Sequence, residues 1–408
     1  MNDEILITGI GVVTALGIGV ESQIEGLKSG KSGITPLSLF KTSHDAKVGE
    51  VKYSNDEIIE ILDLPKQKIF SRTTLLGLLA AKEAFDDSGL SELKKNNYNG
   101  LKIGLISATS VGGMDVSEKF YKVFREDTSK GRLRELIGHD CGTSTQIIAD
   151  YLGITGFVTT ISTACSSANN AIMLGARMIK YGMLDIAIVG GTDALCNFTI
   201  NGFSSLGILD KEPCRPFDES RAGLNLGEGA GFVVLQSSKT LPDKIYGVVS
   251  GYANANDAFH QTASSAEGEG AYLAMKKAIT MSGLRNDEID YINVHGTGTP
   301  NNDASEGAAL IRIFGNKVPP FSSTKGFTGH TLGAAGGVES VFSILSLYYG
   351  YIWPNLNFTT PMDGLGLIPE TSCIKSEKIR SVITNSFGFG GNCTSLIFSS
   401  YNRKSNVG

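Results

Sequence analysis

A chain of 408 residues, 41% apolar and 19% charged, carries enough hydrophobic material for two packed domains or one duplicated fold, and its composition excludes disorder as the default. A net charge of −5 gives no handle for nucleic acid, and no 18-residue apolar run is present to span a membrane. Six scattered cysteines (141, 165, 196, 214, 373 and 393) make no CxxC pair and the start is acidic, so a cytoplasmic protein without a zinc site or disulfide framework is expected.

Residues 5–9 read as a short apolar strand entering the turn Gly9-Ile10-Gly11. That turn lacks the third glycine and the later acidic residue of a dinucleotide fingerprint, so it reads as structural. Residues 72–89 space their apolar side chains as a helix does and end on Gly89, a C-cap signal. A strand follows at 102–107, closed by the turn Ser110-Val111-Gly112-Gly113. Then come a strand at 158–162, a helix at 167–181, a buried strand at 185–190 ending in Gly190-Gly191, and an apolar strand at 228–236. From residue 247 the scheme restarts: strand 247–251, helix 270–283, strand 289–294, helix 334–349 and a strand pair within 380–399. Strands alternating with helices predict α/β layers around mainly parallel sheets. Similar element order on either side of residue 245 predicts an internal duplication, with halves at 1–245 and 246–408 and a loose tail over the last half dozen residues.

The chemistry concentrates in a few turns. Ile161-Ser162-Thr163-Ala164-Cys165-Ser166-Ser167 sets a cysteine among small residues between a strand and a helix. Small neighbours allow a sharp turn, and a helix N-terminus offers its positive dipole to a thiolate. On that segment alone, a nucleophile and a buried filler are equally well served. Two of the five histidines sit in Gly/Thr-rich turns at strand ends: His295 in Val294-His295-Gly296-Thr297-Gly298-Thr299, and His330 in Lys325-Gly326-Phe327-Thr328-Gly329-His330. Neither has a carboxylate or thiol at ligand spacing, which argues against a metal. His44, His139 and His260 have no such setting and read as surface or packing residues. A cysteine with two separate histidines suits acyl-thioester chemistry better than proteolysis.

These segments, with Cys214-Arg215-Pro216-Phe217-Asp218 through Gly227-Glu228-Gly229-Ala230-Gly231, His330-Thr331-Leu332-Gly333-Ala334-Ala335-Gly336 and Asn385-Ser386-Phe387-Gly388-Phe389-Gly390-Gly391, resemble the motifs of β-ketoacyl-carrier-protein synthases of the elongating type, from residue 7 to 398. The resemblance implies a thiolase-like fold, two duplicated halves in a five-layered αβαβα arrangement, assembled as a homodimer or a heterodimer. It implies that Cys165 takes an acyl group from an acyl carrier protein, with its own N–H and that of Phe389 as oxyanion hole. His295 and His330 would stabilise the enolate formed when a malonyl thioester loses carbon dioxide. Lys325 and Glu339 would support the histidines as an ion pair, while Thr297 and Thr299 would bind the phosphopantetheine arm. Phe389 would gate the site between Gly388 and Gly390; Val111, Phe203 and Leu332 would line the acyl pocket; and Lys66, Lys68 and Arg72 would meet the acidic carrier. No resident cofactor is implied. Asp303 and Glu306 read as structural.

Departures from the family pattern lie at Asn392-Cys393-Thr394, where Thr-Asn is usual after the glycines, and at Ala168-Asn169-Asn170, polar for a helix beside an acyl pocket. Val111 stands where a larger isoleucine is common, which leads to the expectation of a longer or stiffer acyl group. Three competing readings arise. A ketosynthase of a specialised polyene or polyketide pathway is mildly favoured by the departures. A non-catalytic chain-length partner generally lacks the cysteine, and a thiolase would carry a C-terminal CxG turn that is absent here.

Overall fold

Strands whose successive side chains are apolar on both faces decide the layering. The computed structural model describes residues 4–95 and 97–401; the tail expected at 403–408 lies outside the described residues. Its first half contributes β1 (Ile5–Thr14), β2 (Ile103–Ala108), β3 (Phe157–Ile161), β4 (Ile186–Asp193) and β5 (Gly229–Ser237). The second contributes β6 (Gly247–Asn256), β7 (Tyr291–Asn293), β8 (Phe321–Ser322), β9 (Ser381–Gly388) and β10 (Asn392–Ser399). In space the order is β3-β2-β4-β5-β1, then β6-β10-β9-β7-β8. Each half has the same pairing, parallel among its second, third and fourth strands and antiparallel from the fourth through the fifth to the first, so the sheets are mixed and not mainly parallel as expected. The sheets touch edge to edge at only two pairs, Leu6 with Val248 and Ile7 with Gly247.

Along β5, Val233 and Leu235 face one apolar cluster while Ala230, Phe232 and Val234 face another, the period of two that a strand imposes. The second of these clusters holds the inner face of helix α1 (Arg72–Asp87) through Leu75, Leu78, Ala81 and Phe85. The first is the middle of the molecule. There α2 (Ser167–Lys180) and α5 (Ala335–Tyr349) pack between the sheets, with Ile172, Ile179, Val341 and Leu345 fully or almost fully buried. On the far side of β9 and β10, Ile383 and Ile397 meet α3 (Glu269–Ser282) and α4 (Pro300–Phe314) through Met275, Ala278 and Leu310. The result is the expected αβαβα stack. Each such aliphatic side chain, once buried, contributes about 1.5–3 kcal/mol. Close approach in the middle layer depends on two glycines: a β-carbon on Gly231 would sit 2.4 Å from the Gly337 carbonyl carbon.

Predicted element bounds match to within one or two residues at most places. β1 and β6 differ most: β1 runs through Gly9-Ile10-Gly11, read as a turn, to Thr14 because β5 pairs with it there, and β6 runs on through the polar stretch Ala253-Asn254-Ala255-Asn256 because β10 pairs with it. Helices Met114–Glu126, Cys141–Leu152 and α4 had no counterpart in the sequence reading. Among the described residues no helix is long and apolar enough to cross a membrane.

Candidate active site

The turn between β3 and α2 is strained at Ala164, whose φ of +52° lies where non-glycine residues seldom sit. It places Cys165, 6% exposed, two residues before the start of α2. The turn is held from both halves. Thr163 N–H donates to Ser167 Oγ at 2.8 Å, and Ser386 Oγ–H donates to the Cys165 carbonyl at 2.9 Å. The turn after β9 comes so near that a β-carbon on Gly388 would lie 2.8 Å from the Thr163 carbonyl oxygen. That approach brings the Phe389 N–H to the Cys165 sulfur, which also accepts from its own N–H. Two backbone N–H groups, from different halves of the chain, therefore face the sulfur.

His295 follows β7 and His330 follows the short helix Lys325–Thr328; both are 2% exposed, with ring centroids 5.3 Å apart. His330 Nδ1 accepts from the Leu332 N–H at 3.1 Å, and that amide is aimed by a left-handed Leu332 (φ +54°). His295 Nδ1 faces Lys325 Nζ at 3.3 Å, a donor with no lone pair to offer. Each ring thus accepts at Nδ1, which puts its proton on Nε2. Burial and the Lys325 charge hold both imidazoles well below the ordinary histidine value of 6.5. They are two neutral N–H donors. Lys325 is 1% exposed, donates to the His295 carbonyl at 2.6 Å and pairs with Glu339. Burial pushes the Glu339 carboxyl up to about 7, opposed by Lys325.

Three buried carboxylates fix these turns. Glu306 accepts from the N–H groups of His295 and Gly296, both at 2.9 Å, and Asp303 from those of Gly298 and Phe217. Both are structural, as the sequence suggested. Asp193, which sequence reasoning passed over, ends β4 and gathers Thr109 Oγ1, the N–H groups of Ser110 and Val111, and the Gly333 N–H at 2.7 Å. It ties the His330 loop to the first half. An aspartate at a strand end after two glycines was the available signal.

A cavity of about 330 Å³ joins Cys165, His295 and His330 to the surface past Thr297, Thr299 and Phe389. Phe203 lines it and stacks on Phe389, centroids 5.9 Å apart. Four expectations change. Val111 and Leu332 are not among the residues that line this cavity and join Phe203, Leu195, Ile200 and Leu224 in one apolar cluster. Arg72 is no docking residue: 5% exposed, it is locked on Glu228 by Nε and Nη2 at 2.7–3.0 Å, because a guanidinium buried in this way needs its counter-ion. His260 is not idle surface but stands at the cavity mouth. The polar residues of α2 turn away from the cavity. Asn170 joins Asn254, Asn392, Thr394 and Ser166 in one buried hydrogen-bonded network, and Asn169 meets Ser340 on α5. Lys66 and Lys68 are exposed, Lys66 beside Glu60 at 2.8 Å. Among the described residues no group of three or more His, Cys, Asp or Glu could hold a metal ion.

Burial pushes the Cys165 thiol up to about 11, against the lowering pull of Lys325 and the two amides. It is a thiol at neutral pH, so alkylation by iodoacetamide should speed up about tenfold per unit from pH 7 to 9. A rate already level at pH 7 would show a preformed thiolate instead.

Family models described as "Beta-ketoacyl synthase, N-terminal domain" and "Beta-ketoacyl synthase, C-terminal domain" match residues 2–240 and 246–359. The 3-oxoacyl-[acyl-carrier-protein] synthase 2 of Vibrio cholerae serotype O1 is 35% identical, covering 97% of this chain and 98% of its own. The ishigamide ketosynthase/chain length factor superposes with a TM-score of 0.91 at 29% identity, covering 98% of this chain and all of that one. A type II polyketide ketosynthase, solved with its acyl-carrier protein and a hexaketide, gives 0.88 at 25% identity over 98% of this chain and all of its own.

Proposed function

Since the chain belongs to the β-ketoacyl synthase family, we propose that its Cys165, His295 and His330 carry out a decarboxylative condensation on carrier-bound thioesters. The enzyme is an elongating 3-oxoacyl-carrier-protein synthase, an acyltransferase. The observation that carries the residue assignment is the pair of neutral histidines on one cavity with a cysteine flanked by two backbone donors.

In the first step Cys165 sulfur attacks the acyl carbonyl of a pantetheine thioester. Its N–H and that of Phe389 hold the developing oxyanion. The C–S bond to pantetheine breaks, and the proton lost by one thiol ends on the other, so no net base is needed. In the second step the C–C bond to the malonyl carboxylate breaks, releasing carbon dioxide. Nε2–H of His295 and Nε2–H of His330 stabilise the enolate oxygen, and the α-carbon attacks the acyl-Cys165 carbonyl. Collapse gives a β-ketoacyl thioester and returns the Cys165 thiolate, reprotonated from water. Lys325 and Glu339 act behind the histidines, Thr297 and Thr299 beside the pantetheine arm, and Phe389 with Phe203 at the acyl end. The scheme calls on no resident cofactor or metal.

The carrier is an acyl carrier protein, in keeping with the relatives' names. Exposed Lys66 and Lys68 are the proposed contacts for its acidic surface, beside a groove formed by Leu64, Ile69, Phe70 and Arg134. A second copy is proposed to pair along β3, an unpaired edge with Phe157 40% exposed; a chain-length factor in that place is the heteromeric alternative. The cytoplasm is the proposed compartment.

Incubation with malonyl carrier and acyl carriers of graded length, read by mass spectrometry, should yield products two carbons longer with one carbon dioxide released per turn. A profile centred on ordinary saturated chains places the enzyme in fatty-acid synthesis, and one requiring unsaturated or keto chains places it in a specialised pathway. Absence of elongation with every donor would sink the assignment.

A further inference from the structure

Helix Asn197–Ser205 carries Phe203, the side chain that lines the cavity and stacks on Phe389. Its N-cap residue is Cys196, whose N–H and weakly accepting thiol pair with Thr199 in a capping box. The donors of the first two helical residues are taken by a carboxylate from another helix. Glu118, in Met114–Glu126, accepts from the N–H and Nδ2 of Asn197 at 3.2 Å through one oxygen and from the Phe198 N–H at 3.0 Å through the other. A negative charge there also complements the helix dipole. Phe389 in turn supplies the amide that meets the Cys165 sulfur. A line of contacts therefore runs from Glu118 through a helix and two stacked rings to the nucleophile.

We propose that Glu118 is a positioning residue for acyl selectivity: by clamping the start of helix Asn197–Ser205 it holds Phe203 against Phe389 and so fixes which acyl chains the cavity accepts. This rests on the reading of Phe203 as a wall of the acyl site. With the clamp gone, the start of the helix frays, the stacked pair loosens and the wall yields to chains it would otherwise reject.

The test compares kcat/KM over a series of acyl carriers for wild type, Glu118→Ala, Glu118→Gln, Phe203→Ala and the double variant. Glu118→Ala should shrink the ratio between the best and worst donors about fivefold, the scale of a lost helix cap, mainly through KM. Glu118→Gln, which keeps an acceptor oxygen, should restore most of that ratio. In the Phe203→Ala background, Glu118→Ala should have no further effect on the profile. A uniform drop for every donor, or an unchanged profile, overturns the clamp. A Phe203→Ala enzyme with an unaltered profile overturns the reading of the acyl wall itself, whatever Glu118 does.

Discussion

Cys165→Ala is expected to abolish β-ketoacyl product, a loss of about 10⁴-fold or more, while carbon dioxide release from the malonyl carrier continues. The side chain removed is the only group in the proposed first step that becomes covalently attached to the acyl chain. The donors that hold the enolate stay in place, because neither histidine depends on the sulfur for its orientation: His330 is set by the Leu332 amide and His295 by Lys325. Folding should survive as well, since the turn is held by backbone and hydroxyl contacts from Ser167 and Ser386. Radiolabelled malonyl carrier separates the two readouts. Condensation by the alanine variant at near wild-type rate would refute the role of Cys165. Loss of decarboxylation together with condensation would mean that the two steps are not divided as proposed.

His330→Ala should show the converse. Acyl transfer to Cys165, followed by intact-protein mass, should persist, whereas carbon dioxide release should fall about 10²–10³-fold, the usual cost of removing one donor at a developing oxyanion. His330 is the cleaner choice of the two, because His295 also faces Lys325 and its removal disturbs the Lys325–Glu339 pair. The pH dependence follows from the same environment. Both rings are held well below 6.5, so they stay neutral through the neutral range, and decarboxylation should be level from about pH 6 to 8. An acid limb near pH 6.5 that vanishes in His330→Ala would contradict this. For stability the sign is fixed by which state binds the proton. Below about pH 6.5 the unfolded chain protonates these histidines and the folded chain does not, so their contribution is present above that value and is lost as pH falls through it.

Much of this was legible in the chain because it was written in local chemistry. Strand–turn–helix order and small residues around Cys165 were enough to expect an elbow, and the glycine-rich turns marked His295 and His330. What stayed hidden depends on distant partners. Arg72 looks like any surface cation until the fold brings Glu228 to it across 156 residues. The asparagines of α2 look like a polar pocket until β6 and β10 supply Asn254 and Asn392. Asp193 and Glu118 act mainly on backbone N–H groups contributed by other segments, so the partners that give them a role are not visible beside them in the chain, even where, as for Asp193, a strand end after two glycines hints at one. Val111 and Leu332 share an apolar cluster with Phe203 but do not reach the cavity past Thr297 and Thr299, since sequence proximity to a turn does not fix which way a side chain faces.

The repeated strand order divides the candidate site between the halves. In the first half, the connection from the third strand to the central helix holds Cys165; its counterpart in the second half, from β8 to α5, holds Lys325 and His330. The end of the second strand leads to Ser110 in one half and to His295 in the other, and the end of the fourth to Asp193 and to Phe389. Equivalent loops have thus taken different trades. The candidate nucleophile is contributed by one half and both histidines by the other, so neither half holds Cys165, His295 and His330 together. A cut near residue 245 would part them, and the site exists only while the two halves stay joined.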